Sequence, residues 1–148
     1  MWNTRAGFSL IEGILALAIG LVLLSITARA MAPVREASAL RSGDQVVRSM
    51  LSRTRAEAIQ RGETVRLRFD PTGDTAWIQA SAGQLDRFDF DDELGVDLRA
   101  SHSVTVCMTP NGVADANCSF PSIALIGLST GTSHRFVTML PSGQVISP

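Results

Sequence analysis

The chain has 148 residues, enough for one domain with a modest core and too few for a second. Its net charge of -1 supplies no general attraction to nucleic acid or anionic lipid. Apolar residues make up 45% and charged residues 18%, but the apolar share is concentrated at the N-terminus, which describes one anchor followed by one soluble head.

The first element is the apolar run from Phe8 to Ile26, in RAGFSLIEGILALAIGLVLLSI, interrupted by Glu12. As a helix it rises about 28 Å and can cross a bilayer core of about 30 Å. A secretory signal cut near Ala28, Ala30 and Ala32 is the alternative. The run is long for a signal core, however, and an acid is an odd choice in a segment whose only task is apolarity. Arg5 precedes the run and no acid lies before Glu12, so the positive-inside rule keeps residues 1–7 in the cytoplasm and exports the head. Arg29, Arg35 and Arg41 oppose this only weakly, since charge counts for less in a long exported region. A carboxylate in hydrocarbon costs about 3 kcal/mol on insertion scales, so Glu12 calls for a partner or a function. Ala16 and Gly20, four apart, offer a small-xxx-small face for close helix approach.

Arg5-Ala6-Gly7-Phe8-Ser9-Leu10-Ile11-Glu12 resembles the class III signal of type IV pilins and type II secretion pseudopilins. The resemblance implies that residues 1–7 are a leader cleaved after Gly7 by a prepilin peptidase and that the new amine on Phe8 is methylated. Gly7 suits such a cut, because a residue without a Cβ lets backbone enter a tight site. Glu12, then the fifth residue, would pair with the Phe8 amine of a neighbouring subunit during assembly, where low dielectric strengthens the attraction. The plainer alternative places Glu12 at the membrane interface, favoured there by the helix N-terminus.

Residues 27–61 contain few breakers, and Val47, Leu51, Thr54 and Ala58 recur at helical spacing, so one helix is predicted from about Ser9 to Arg61. Pro33 is expected to kink or loosen it and Gly43-Asp44 to form a second soft point, with Gly62 as the stop. The stretch RTRAEAIQRGETVRLRF, Arg53 to Phe69, is similar to the helix end and first head strand of the pseudopilin H (GspH) and FimT family. Gly13 departs from that pattern, in which a bulky apolar residue is more usual.

After Gly62 the period changes to two. Strands are predicted at Thr64–Asp70 and Thr75–Ser81, joined by Pro71-Thr72-Gly73-Asp74, then at Val104–Met108, Ser122–Leu128 and Arg135–Leu140, with Val145-Ile146 after the turn Pro141-Ser142-Gly143. The fold expected is α+β and pilin-like: a long N-terminal helix, transmembrane over 8–26 and amphipathic over 27–61, packed on one mainly antiparallel sheet formed by the head, 62–148. Cys107 and Cys118 close a short loop and, if exported, read as a disulfide; two reduced core thiols are the alternative.

Four further patterns carry weaker signals. Gly127-Leu128-Ser129-Thr130-Gly131 matches the G-x-S-x-G nucleophile elbow with His134 close by, but the elbow needs a following helix and Ser133–Leu140 reads as a strand. Asp86, Asp89, Asp91, Asp92, Glu93 and Asp97 surround Phe88 and Phe90 without the glycine of an EF-hand calcium loop, and read by default as a solvated loop with two anchoring aromatics, calcium binding being the alternative. The cysteines with His102 or His134 match no zinc spacing, so no metal or other cofactor is implied. Only Arg66 and Arg68 pair basic side chains on one strand face, and the C-terminal stretch has no Lys or Arg, which disfavours nucleic acid.

Taken with the resemblance, the expected role is structural and not enzymatic: a minor pseudopilin at or near the tip of a type II secretion pseudopilus. It would be anchored once in the bacterial inner membrane with its head in the periplasm. Its partners would be major and minor pseudopilins, the inner-membrane assembly platform and secreted cargo. The rival readings are a minor pilin of a type IV pilus and, further off, a DNA receptor for uptake.

Overall fold

A computed structural model describes residues 9–148 apart from 101, 116, 119–123, 141–143 and 147–148; the side chains of residues 26–30 also fall outside the description. Helix α1 runs over Leu10–Arg61, 52 residues, with Pro33 and Gly43 inside it. The chain divides into two units, residues 1–35 and 36–148.

In the first unit the described residues from Leu10 onward are helix, and their described apolar side chains are exposed. Among the described residues no helix is long and apolar enough to cross a membrane. The predicted span runs over 8–26, and both its ends lie where side chains are outside the description.

In the second unit, α1 buries Leu40, Asp44, Val47, Met50, Leu51, Thr54 and Ala58 along one stripe, the face predicted from spacing. The buried Thr54 hydroxyl donates to the Met50 carbonyl at 2.7 Å, so no polar group is stranded there. Gly43 is a packing position and not the expected soft point: a Cβ placed on it would lie 3.1 Å from Leu128 Cδ1. Gly62 ends the helix as predicted, at φ 64°, donating its N–H to the Ala58 carbonyl at 3.0 Å.

Among the described residues eight strands follow: β1 Val65–Asp70, β2 Thr75–Ala80, β3 Gly83–Asp89, β4 Asp97–Arg99, β5 Val104–Met108, β6 Ala124–Thr130, β7 Ser133–Met139 and β8 Val145–Ile146. A short helix, α2 at Phe90–Leu94, lies between β3 and β4. The single sheet expected is replaced by two antiparallel four-stranded sheets, ordered β3-β2-β1-β5 and β4-β6-β7-β8. The division follows from residues 83–99, where the expected acidic loop is instead β3, α2 and β4. β3 extends the first sheet and β4 opens the second; β3 has no clean two-residue alternation, and β4 is only three residues long and buries Leu98 alone.

The two sheets and α1 share one core. Leu67, Phe69, Ile78 and Val106 come from the first sheet, Ile126, Leu128, Val137 and Met139 from the second, and Val47 and Ala58 from the helix. Phe90 is wholly buried and Phe88 meets it edge-on, ring centroids 5.0 Å apart, so both acidic-stretch aromatics do anchor. Asp74, at φ 49° in the β1–β2 turn, ties this region together. Its carboxylate accepts the Leu98 N–H at 2.6 Å and its carbonyl the Phe90 N–H at 2.8 Å.

Candidate assembly segment and head surface

Gly7 and Phe8, the predicted cleavage and methylation positions, lie outside the described residues. Glu12 stands exposed in the first turn of α1, where the unpaired N–H groups favour an acid. Among the described residues no cation lies within ion-pairing distance of it. Leu10, Ile11, Ile14, Leu15, Leu17, Ile19 and Leu21 to Leu24 are between 54% and 81% exposed. Apolar exposure on that scale calls for lipid or other helices as cover. The hydroxyl of Ser25 bonds the Val22 carbonyl at 2.8 Å, so its polarity is satisfied within the helix. Nothing within 4 Å would meet a side chain at Gly13 or Gly20, leaving backbone there open to a neighbour.

On the head, Cys107 and Cys118 form the predicted disulfide, their Cα atoms 5.8 Å apart. The bracketed loop has its own bonds: Asp115 N–H to the Cys107 carbonyl at 2.9 Å, Gly112 N–H to the Thr109 carbonyl at 2.8 Å, and a bridge between Met108 and Ala114.

The G-x-S-x-G match is a strand and hairpin turn, as the sequence indicated. Gly127 to Thr130 belong to β6, Gly131 turns at φ 54°, and β7 follows. Register places Asp97, Ser129 and His134 side by side on β4, β6 and β7. Hydrolysis needs the histidine between acid and serine; here the serine is in the middle. Its hydroxyl accepts from Arg99 Nε at 2.9 Å and donates to Asp97 Oδ2 at 3.5 Å, a clamp between β4 and β6.

Asp86 and Asp89 have separate structural tasks. Asp86 pairs with Arg53 at 2.5 Å, and Asp89 caps α2 by accepting the Asp92 N–H at 3.2 Å. Among the described residues no group of three His, Cys, Asp or Glu side chains converges as a metal site would require.

Two polar clusters went unread in the sequence. Asp44, buried on α1, faces Arg48 Nε at 3.2 Å and Arg135 Nη2 at 3.7 Å. The four-residue spacing of Asp44 and Arg48 was legible, whereas Arg135 arrives from β7. Glu36 accepts the Ser133 hydroxyl at 2.9 Å, tying the helix to the β6–β7 turn. No local pattern marks that pair.

The prokaryotic N-terminal methylation motif matches residues 2–28, the leader and the start of α1. The head and helix resemble solved structures of the type IV minor pilin FimU of Pseudomonas aeruginosa PAO1. In the P21 crystal form, identity is 18% over 74% of this chain and 87% of FimU, with a TM-score of 0.55. In the P65 form the values are 16%, 73%, 91% and 0.53. The chain is pilin-like in both leader and fold. Among curated proteins none matches this pilin-like chain significantly. The α+β expectation of a long helix before an antiparallel head therefore agrees with the fold of FimU.

Proposed function

We propose that the chain is a minor structural subunit of a filament of the type IV pilin class. The observation that carries this reading is the methylation motif over residues 2–28 running into a helix whose described apolar side chains are exposed in their own unit. Such a helix suits two environments in turn: the inner membrane before assembly and a bundle of sibling helices after it. Prepilin peptidase removes residues 1–7, Phe8 becomes the methylated N-terminus, and the segment 8–26 anchors the chain with its head in the periplasm. Glu12 then finds the Phe8 amine of an adjacent subunit, which selects the inserting register because an unpaired acid among apolar helices is costly.

Within this class, the Arg53 to Phe69 stretch supports a pseudopilus of type II secretion, with the head contacting other pseudopilins or cargo. The likeness of the fold to FimU supports the second reading, a minor subunit of a type IV pilus. Mass spectrometry of the chain recovered from membranes tests the processing step. A methylated Phe8 terminus is expected, and any other terminus overturns the proposal. Deleting the gene separates the two settings: lost secretion with normal pili supports the first, and lost piliation with normal secretion the second.

A further inference from the structure

On the outer face of the first sheet, β1 alternates strictly: Val65, Leu67 and Phe69 are buried, and Arg66 and Arg68 are exposed. Register aligns Thr105, Arg68, Trp77 and Arg87 in one row across β5, β1, β2 and β3. The Arg68 guanidinium carbon lies 5.4 Å from the centre of the Trp77 ring. Trp77 and Arg87 also line a shallow hollow with Asp70, Thr75 and Gln84.

The arginines of this face differ from the ion-paired ones elsewhere in the chain. Arg48, Arg53, Arg61, Arg99 and Arg135 each lie within 4.0 Å of a carboxylate. Among the described residues Arg66, Arg68 and Arg87 have no carboxylate partner, and the other unpaired ones, Arg35, Arg41 and Arg55, are strung along α1. Asp70 and Asp89 stand at one end of the same face, but each is held by a turn: Asp70 accepts the Thr72 N–H at 3.0 Å and Asp89 caps α2. Among the described residues neither comes within ion-pairing distance of the three guanidiniums.

We propose that this face, built on Arg66, Arg68, Trp77 and Arg87, docks an acidic segment of another protein. The spacing suits carboxylates on a short peptide: Arg66 and Arg68 are about 7 Å apart along the strand, and Arg68 and Arg87 about 10 Å apart across two strands. Guanidinium forks take carboxylates in two-point hydrogen bonds, and stacking on Trp77 holds one fork in place before binding. Arginine and tryptophan together also make the composition of interface centres. Nucleic acid fits less well, because Arg68 occupies the ring face a base would stack on. The inference goes beyond the filament reading and rests on the head alone, so either can fail without the other.

The test is fluorescence anisotropy on the full chain in zwitterionic detergent, with a dye-labelled ten-residue peptide of alternating Asp and Ser as the probe. Saturable binding is expected at low salt, weakened at least about tenfold by Arg68→Glu with Arg87→Glu. The matched control, Arg41→Glu with Arg55→Glu, makes the same change in net charge and should alter binding less than about twofold. Arg68→Gln with Arg87→Gln repeats the loss without introducing repulsion, which covers misfolding of the reversed variant. Absence of peptide binding, or equal weakening in the control, overturns the proposal. So does an oligothymidylate that binds this face more tightly than the peptide, since it reassigns the face to nucleic acid.

Discussion

Replacing both Cys107 and Cys118 by alanine opens a loop whose closing residues are 11 apart in sequence. In the chain-entropy description, a loop of that size restricts the unfolded chain by roughly 9 to 10 cal/mol/K, or about 3 kcal/mol at 25 °C. Alanine is preferred to serine because Cys107 is fully buried, and a hydroxyl there would add a desolvation cost of its own. For a chain of this length, each kcal/mol moves the melting temperature by about 3 to 5 °C, so a fall of about 10 °C is expected. The assay is thermal unfolding followed by circular dichroism, with amide exchange at Asp115 as the local reporter. The loop's own bonds, Asp115 to Cys107, Gly112 to Thr109 and the Met108–Ala114 bridge, set the competing outcome. If the melting point falls by less than about 2 °C and Asp115 exchange is unchanged, the loop is ordered by those bonds in the unlinked chain. The entropic reasoning is then refuted.

Asp44→Asn should destabilise the head by about 1 to 3 kcal/mol in urea unfolding, less than for a fully buried pair because the Arg48 side chain is 43% exposed. Combining it with Arg135→Met should give a clearly non-additive cycle, and simple additivity would count against a shared cluster. Gly131→Ala should cost about 1 to 3 kcal/mol, since φ is 54° and the new Cβ would stand 2.7 Å from Glu36 Oε1. In a Ser133→Ala background the penalty should shrink, because the Glu36 carboxylate is then free to move aside. Glu12→Ala should leave membrane insertion and leader cleavage intact while filament incorporation falls at least about tenfold, the equivalent of about 1.4 kcal/mol of lost pairing. Quantitative immunoblotting of sheared filaments reads this, and unchanged incorporation would return Glu12 to a plain interfacial role.

The elements that local physics controls were legible in the sequence. The helix stripe of Val47, Leu51, Thr54 and Ala58, the stop at Gly62, the first hairpin and the hairpin identity of the serine motif all depend on periodicity or turn chemistry within a few residues. The leader was legible for the same reason, as Gly7, Phe8 and Glu12 form one short pattern, which the methylation motif matches over residues 2–28. What the tertiary structure decided depends on partners distant in sequence. Residues 83–89 carry enough acid to read as a loop, yet they become a strand because β2 supplies its hydrogen bonds, and β4 exists because β6 does. Gly43 looked like a flaw until Leu128 filled the space its missing side chain leaves. Asp44 with Arg135, Glu36 with Ser133, and the Arg68-Trp77-Arg87 row likewise join residues far apart in the chain. Sequence period sets which face of an element is apolar, but only sheet order and register determine which charges finish beside one another.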